Sequence, residues 1–216
     1  MPANVGAAAR AMKTMGFSQL RLIQACDHLA PEARLLAHAS HDILEKARVF
    51  TDLHEASRDL DLVICTTAKG RTAKFEYHSS RDILSLLKKK ESELQKVGFL
   101  FGSEESGLPN ELVLKSDLAM SIPMATGYPS LNLAQAVMVV AYELSPLNVL
   151  SKPGKQLHKS REGWSRLKNQ ATRLLLDSGI PEESPLFNRI MERLATIKAE
   201  DIPLFLSVLS RISRTD

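Results

Sequence analysis

Two loops rich in small and polar residues follow apolar runs and could hold a ligand. The first is FGSEESGL, residues 101–108, in which Gly102 and Gly107 allow a tight turn and a close approach of the backbone to a bound molecule. The second is GYPSLNL, residues 127–133, which leads into an apolar helix whose first turn offers free backbone N–H groups. Ligands of open α/β proteins bind outside the carboxyl ends of parallel strands. Because both loops follow predicted strands, the spacing predicts a cofactor pocket.

Four polar side chains could take part in chemistry. Asn4 and Arg10 open an Ala-rich segment, Glu104 lies in the first loop, and Asn132 lies in the second. Three of them have a structural alternative, since Asn4 and Asn132 can cap helices and Glu104 can be a solvated loop charge. No Ser-His-Asp set has local support. The residues alone therefore leave the reaction open.

The motifs occur in a fixed order along the chain. The first is Asn4-x-Gly-x-x-x-Arg10, the second is Phe101-Gly-x-Glu-x-x-Gly-Leu108, and the third consists of Ile122-Pro-Met124 and Ser130-Leu-Asn-Leu133. In this order they resemble the three motifs of the SPOUT superfamily of RNA methyltransferases, in particular the TrmH-type ribose 2′-O-methyltransferases of the TrmJ and LasT branch. The resemblance covers roughly residues 3–145, and ordered motifs are more specific than any one of them.

The resemblance implies S-adenosylmethionine as cofactor, bound in a C-terminal trefoil knot of the catalytic domain. The adenosine would be held largely by backbone groups of three loops. Glycines and small residues let main-chain groups approach an adenine edge, and the leucines and isoleucine of these loops offer apolar walls. The matching positions are Thr66, Thr67, Ala68, Gly102, Gly107, Ile122, Met124, Ser130, Leu131 and Leu133.

The resemblance also assigns catalysis to Arg10, with Asn4, Glu104 and Asn132 as further catalytic residues. Mechanisms of relatives give the arginine the role of general base, but a guanidinium keeps its proton in proteins. We favour the interpretation that Arg10 orients the acceptor ribose and stabilises the developing oxyanion or a neighbouring phosphate. No metal is expected, since a sulfonium methyl needs only an aligned nucleophile. The family works as a homodimer, in which the arginine can complete the active site across the interface.

The alternation of strands and helices predicts an α/β fold, a mainly parallel sheet with helices on both faces. Strands are predicted over Leu20–Ile23, Val49–Phe50, Leu60–Cys65, Val97–Phe101 and Leu118–Pro123. Helices are predicted over Val5–Met15 with Asn4 as its cap, Pro31–Ala39, Asp52–Arg58, Ser80–Gln95 with Lys88–Lys90 as its solvated end, and Leu131–Leu144. Residues 69–78 read as a mobile basic loop. The strand that precedes the first motif in relatives is missing, so either the true start lies upstream of Met1 or the protein lacks the first strand of its sheet. We favour the first alternative and expect further residues upstream of Met1.

The stretch Ser151-Lys-Pro-Gly154, which follows the last predicted helix and Ser145-Pro146, predicts a boundary between two domains. These are a SPOUT methyltransferase domain over residues 1–150 and a helical C-terminal extension over residues 151–216. The extension carries three apolar stripes at helical spacing, which need burial against each other, the first domain or a second subunit. They begin with Leu157, Trp164 and Leu167, with Phe187 and Ile190, and with Phe205 and Val208.

Composition indicates a folded protein of the cytoplasm. The 216 residues are 44% hydrophobic and 25% charged, and no apolar run approaches the ~20 residues that span a bilayer. The first residues are too polar for a secretory signal. Cys26 and Cys65 form no CxxC pair, and the six histidines lack metal-ligand spacing, so neither a disulfide framework nor a metal site is expected.

The basic charge is concentrated in the tail. Residues 1–150 carry 16 basic and 17 acidic side chains, whereas residues 151–216 carry 12 and 8. Most of the excess lies in Lys152–Arg173, which can follow an RNA phosphate backbone or can simply be a solvated helix face. The resemblance implies tRNA, with position 32 of the anticodon loop as the natural acceptor, or rRNA. A non-catalytic RNA-binding or scaffold protein on the same fold is the alternative.

Overall fold

The computed structural model describes residues 1–68, 76–90, 93–102, 106–125, 130–150 and 163–212. Its helices are α1 (Pro2–Thr14), α2 (Pro31–Leu36), α3 (His41–Glu45), α4 (Leu53–Ser57), α5 (Ser80–Lys88), α6 (Asn110–Leu114), α7 (Leu133–Leu150), α8 (Gly163–Asp177), α9 (Pro185–Thr196) and α10 (Ile202–Ile212). Its strands are β1 (Arg21–Ile23), β2 (Arg48–Phe50), β3 (Leu62–Thr66), β4 (Tyr77–Ser79), β5 (Val97–Leu100) and β6 (Leu118–Ser121). No helix in these ranges is long and apolar enough to cross a membrane.

The chain forms two compact units that alternate along the sequence. Unit 1 consists of Met1–Asp59, Phe101–Leu108 and Ile122–Lys155. Unit 2 consists of Leu60–Leu100, Pro109–Ser121 and Gln156–Asp216. The first holds α1–α4, α7 and the strands β1 and β2, and the second holds the remaining elements.

Helix α1 organises unit 1 because its small residues let other helices approach closely. Its run of alanines favours helix, and a proline occupies its first turn. A side chain at Gly6 would collide with the backbone oxygen of Ala33 in α2, so only glycine fits there. On another side, Ala8 and Ala11 pack against Val137 of α7. Helix α1 therefore links α2 and α7 through residues that have almost no side chain.

The predicted cap at Asn4 is wrong, whereas the predicted end of the helix is confirmed. Helix α1 begins at Pro2, and Asn4 lies buried in its first turn. Proline has a fixed φ and no N–H, so it starts the helix ahead of the asparagine. At the other end, Gly16 adopts a φ of 82°, and the N–H of Phe17 donates to the carbonyl of Met12 at 2.9 Å. This is the glycine-terminated helix end that the sequence indicated.

Strands β1 and β2 form a parallel pair in unit 1, with Arg21 opposite Arg48. Helix α4 follows Asp52, whose carboxylate accepts a hydrogen bond from the N–H of Glu55 at 2.8 Å, as predicted. Apolar side chains of β1 and α1–α3 form a shared core. Its members are Val5, Ala9, Leu22, Ala33, Ala37, Ile43 and Leu44.

Helix α7 continues through the proline at which the sequence predicted its end. Proline 146 cannot donate to the carbonyl of Tyr142, four residues earlier. That carbonyl instead accepts a hydrogen bond from the hydroxyl of Ser145 at 2.8 Å. The serine thus supplies the donor that the proline lacks, and the helix runs to Leu150.

Unit 2 contains a four-stranded sheet in the order β4-β6-β3-β5, and every neighbouring pair is parallel. The central strand β3 is buried from Leu62 to Cys65, as its continuous apolar run predicts. Burial raises the pKa of the Cys65 thiol to about 11. Strand β4 occupies the end of the segment predicted to be a loop, and three residues are too few to show alternation. The rest of that predicted loop, residues 69–75, lies outside the described part of the chain.

The three predicted tail helices are confirmed as α8, α9 and α10, with Leu157 of the first stripe outside the described residues, and within unit 2 helices α8 and α9 contact one end of the sheet. Each contact is made to an acidic residue that directly precedes a strand, so the tail lies at the amino ends of β3, β4 and β6. The contacts are Trp164 Nε1 to the carbonyl of Asp61 at 2.9 Å, Lys168 to Asp117 at 2.5 Å, and Arg193 to Glu76 at 2.8 Å.

The prediction of a solvated lysine run at the end of α5 is right for Lys88 and Lys89 but wrong for Lys90. Lys90 is fully buried, with its Nζ 3.9 Å from the centroid of the Trp164 ring and 3.3 Å from the carbonyl of Leu194, to which it donates. Helix α5 ends at Lys88, seven residues earlier than predicted, and the chain then turns inward. The residues that cover Lys90 come from α8 and α9, far away in sequence.

Candidate active site

Two asparagines that the sequence singled out are in direct contact in unit 1. The Nδ2 of Asn132 donates to the Oδ1 of Asn4 at 3.2 Å. Asn4 lies in the first turn of α1, and Asn132 directly precedes α7. The first and third motifs therefore meet where two helices begin, which is a region rich in backbone N–H groups and in positive dipole charge.

Asn132 also fixes the start of α7. Its Oδ1 accepts hydrogen bonds from the N–H groups of Ala134 at 2.9 Å and Gln135 at 3.4 Å. In return, the Oε1 of Gln135 accepts a hydrogen bond from the N–H of Asn132 at 3.2 Å. This reciprocal pair is a capping box. Its Asn-x-x-Gln spacing was present in the sequence, so Gln135 could have been identified there as a positioning residue.

Arg10 lies on a different side of α1 from Asn4. Six residues along a helix place two side chains about 120° apart around the axis and about 9 Å apart along it. Asn4 is buried, whereas Arg10 is exposed to solvent. The guanidinium is therefore presented outward from unit 1 and is available to a molecule that approaches this surface.

The glycine loop after β5 is tight at its base. A Cβ placed on Gly102 would collide with the backbone N of Leu108 and would lie 2.6 Å from the carbonyl carbon of Gly107. Gly107 has a φ of 68°, in the left-handed region that glycine adopts without strain. Both predicted glycines are therefore required by the backbone of this loop. Glu104 lies outside the described residues, as do Gly127, Tyr128 and Pro129.

The other predicted contact residues of unit 1 offer apolar surface next to polar backbone. Ile122, Met124, Leu131 and Leu133 are each half-buried, and Ser130 is exposed. Partly accessible aliphatic side chains of this kind suit the faces of a planar heterocycle. The residues present thus fit the adenine part of a nucleoside cofactor.

The predicted contact residues of unit 2 follow the central strand. The hydroxyl of Thr66 donates to the carbonyl of Leu100 at 3.0 Å, and the N–H of Thr67 donates to the carbonyl of Met120 at 2.9 Å. These bonds hold the turn after β3 against β5 and β6, and Ala68 beyond them is exposed. Across the described residues of both units, no group of three or more histidine, cysteine, aspartate or glutamate side chains is arranged to hold a metal ion.

The family model described as the SpoU rRNA methylase family matches residues 1–142. The chain is 37% identical to the uncharacterized tRNA/rRNA methyltransferase LasT of Escherichia coli, over 98% of this chain and 92% of that protein. It is 35% identical to the tRNA (cytidine-2′-O-)-methyltransferase TrmJ of Methanocaldococcus jannaschii, over 69% of this chain and 65% of that one. The crystal structure of TrmJ from Z. mobilis has a TM-score of 0.66 at 27% identity, over 99% and 95% of the two chains. These likenesses confirm the predicted fold class, while the trefoil knot stays a prediction.

Proposed function

The chain belongs to the SpoU rRNA methylase family, and we propose that it transfers the methyl group of S-adenosylmethionine to a ribose 2′-hydroxyl of RNA. Membership confirms the resemblance that the ordered motifs indicated. The hydrogen bond between Asn132 and Asn4 carries the proposal, because it joins the first and third motifs at two helix starts. The relative named a cytidine-2′-O-methyltransferase supports the choice of acceptor atom.

Unit 1 supplies surface that suits the cofactor. Half-buried Ile122, Met124 and Leu131 would contact the adenine faces, and the tight loop at Gly102 would present main-chain donors and acceptors to its edge. Bound S-adenosylmethionine supplies a methyl group on a positively charged sulfur, which an oxygen nucleophile can attack. Further contacts are proposed for Gly107, Ser130 and Leu133 and, from unit 2, for Thr66, Thr67 and Ala68.

Substitution of Gly102 by alanine is expected to weaken cofactor binding by roughly tenfold or more. The added methyl group would collide with backbone atoms of Gly107 and Leu108, so the loop must move. Calorimetric titration with S-adenosylmethionine measures the effect. Gly98→Ala is the matched control, because its Cβ would meet only the flexible side chain of Leu60. Equal affinities of the two variants would contradict a role for this loop in cofactor binding.

The chain's own residues have the task of aligning the ribose. Arg10 is proposed to hold the acceptor strand by its charge and to stabilise negative charge that develops on the 2′-oxygen. The pair of Asn4 and Asn132 is proposed to fix the two helix starts that border the methyl group, and Glu104 to order the glycine loop. A homodimer is proposed as well, because Arg10 is presented on the other side of α1 from Asn4 and can complete the site of a second subunit.

The proposed substrate is tRNA or rRNA, in the cytoplasm. The printed names of the LasT and TrmJ relatives support these RNA classes, and the TrmJ likeness favours tRNA. Within tRNA, we propose a position equivalent to anticodon-loop position 32 as the acceptor. We also propose the division into a methyltransferase domain over 1–150 and a helical extension over 151–216. The end of the family match at residue 142 supports it.

The test is methyl transfer from labelled S-adenosylmethionine to separate pools of tRNA and rRNA taken from a strain that lacks the protein. Nuclease digestion followed by chromatography is expected to give labelled 2′-O-methylnucleosides from one pool. If the protein binds the cofactor but labels neither pool, the proposal is wrong and the chain is a non-catalytic RNA-binding protein on this fold.

A further inference from the structure

A basic hollow lies in unit 1 at the amino ends of β1 and β2. Its volume is about 300 Å³, and it is lined by the segment 18–21 before and at the start of β1, by α3 and by the first residue of β2. Four of its lining residues carry charge: Arg21, Asp42, Lys46 and Arg48. None of these residues belongs to the motifs that describe the candidate active site.

The hollow carries a net positive charge that its own acidic groups do not neutralise. Arg21 is paired with Asp59 at 2.6 and 3.0 Å through both of its terminal nitrogens, and Asp42 is paired with Lys13 at 2.7 Å. The hydrogen bond from Lys13 lowers the pKa of the Asp42 carboxyl, so this ion pair stays charged on both sides.

Two cations of the hollow remain available to an anion. Within the part of the chain that the structure describes, neither Lys46 nor Arg48 forms a direct ion pair with a carboxylate, although the charge of Lys46 helps to lower the pKa of Asp42, and both cations are exposed. The guanidinium of Arg48 lies over the buried ring of Phe50, 4.9 Å from its centroid. The stacked ring restricts the guanidinium, and a restricted arginine suits bidentate contact with a phosphate.

The hollow continues the surface of α1 that presents Arg10. Lys13 is one turn further along α1 than Arg10, and its partner Asp42 lines the hollow. Positions three residues apart are neighbours on a helix surface. A strand held at Arg10 can therefore extend past Lys13 to Lys46 and Arg48 without leaving unit 1.

We propose that this hollow binds phosphates of the RNA that flank the acceptor nucleotide. The inference rests on the proposed function, since it takes Arg10 as the place where the acceptor ribose binds. Backbone phosphates rather than bases are the partner, because the hollow offers charge and hydrogen-bond donors. The ring of Phe50 beneath Arg48 is buried and offers no stacking surface to a base. Lys46 and Arg48 thereby contribute affinity without sequence preference.

The test is the salt dependence of RNA affinity for the double variant Lys46→Gln/Arg48→Gln, with unfractionated tRNA and an rRNA fragment as probes. Each lost phosphate contact lowers the slope of log Kd against log salt by about 1. The double variant is expected to lose about 2 from this slope and to bind both probes roughly tenfold more weakly at low salt. An unchanged slope would overturn the proposal, as would weakening confined to one probe.

Three controls make the result specific. Arg58→Gln removes an exposed arginine of the same unit outside the hollow and is expected to keep the wild-type slope. Arg48→Lys keeps the positive charge, so this variant is expected to keep most of the wild-type salt dependence. At saturating RNA the double variant is expected to keep its kcat and raise only KM. Binding is measured without turnover, so failure of the hollow and failure of the methyltransferase proposal are distinguishable.

Discussion

Replacement of Arg10 by alanine is expected to lower kcat for methyl transfer by about 10²–10³-fold while leaving the affinity for S-adenosylmethionine unchanged. This is the range measured when one group that stabilises developing charge is removed. Arg10 is exposed on α1 and is not among the residues proposed to contact the cofactor, so we expect its loss to affect the acceptor side of the reaction. Single-turnover transfer at saturating RNA and cofactor, together with calorimetric titration of the cofactor, separates the two effects.

The matched control for Arg10→Ala is Arg58→Ala, which removes an exposed arginine elsewhere in unit 1 and is expected to keep wild-type rates. Arg10→Lys retains the positive charge but not the planar fork. If Arg10 acts by charge and orientation, this variant keeps part of its activity and the shape of its pH–rate profile. Near-normal activity with a shifted limb would instead indicate proton transfer by this residue. Full activity of Arg10→Ala would contradict any catalytic role.

A mixing experiment tests whether Arg10 acts across a subunit interface. Arg10→Ala and Asn132→Ala are each expected to be inactive alone. When the two variants are coexpressed in equal amounts, half of the dimers contain one subunit of each variant. If Arg10 acts in the partner's site, each such heterodimer has one intact site, which combines Asn132 of one subunit with Arg10 of the other. Activity is then expected to return to about a quarter of the wild-type value. No recovery, with heterodimers demonstrated by tagged subunits, would place Arg10 in its own subunit's site.

Local patterns in the sequence were sufficient for the parts of the fold that depend on neighbouring residues. The apolar run of β3, the glycine that ends α1 and the cap at Asp52 each depend on residues within one or two turns. The motif order was sufficient to place Asn4 and Asn132 at one site, although 128 positions separate them. Their direct hydrogen bond was not predictable, because each side chain had a local cap role that explained it equally well.

Features that depend on distant partners were not predictable. The environment of Lys90 is formed by Trp164 and Leu194, and no periodicity near Lys90 indicates them. The third tail stripe was predicted as an apolar face, yet Phe205 and Val208 of α10 are exposed within the described residues. A helical stripe shows which side chains can be buried, but the partner surface decides which of them are.

The docking of the tail bears on its role. Within unit 2 the contacts of α8 and α9 lie at the amino ends of β3, β4 and β6, whereas Thr66–Ala68 follow the carboxyl end of β3. A five-residue strand is about 16 Å long, so the two sets of contacts are well separated along it. Lys168, one cation of the basic tail segment, is paired with Asp117, while Arg166 and Arg173 are exposed. Helices α8 and α9 thus contact the sheet at the end away from Thr66–Ala68, the residues proposed to contact the cofactor.

The buried Lys90 is expected to make the stability of the protein rise with pH above about 8. Burial lowers the pKa of Lys90 from 10.5 to about 8, against the charges of Asp117 and Glu93, which raise it. Between these two values the unfolded chain holds a proton that the folded chain has lost, so raising the pH favours the folded state. Between pH 8 and pH 10.5 the free energy of unfolding is expected to rise by about 1.4 kcal/mol per pH unit, and below pH 8 this rise disappears.

Urea unfolding of the wild type and of Lys90→Met at pH 7 and pH 9.5 measures this effect. Methionine has a similar volume and no charge, so Lys90→Met is expected to be more stable than the wild type at pH 7. By pH 9.5 the difference between the two free energies of unfolding is expected to shrink by about 2 kcal/mol, because the wild type gains stability as Lys90 loses its proton. The raised pKa of Cys65 lowers stability as pH rises above 9, but it does so in both proteins and cancels in the difference. Lys89→Met is the matched control, because it removes an exposed ammonium next to Lys90 and leaves the buried one in place. Parallel pH profiles for Lys90→Met and the wild type would contradict the prediction, because they would mean that Lys90 keeps an ordinary pKa in the folded protein although its side chain is fully buried.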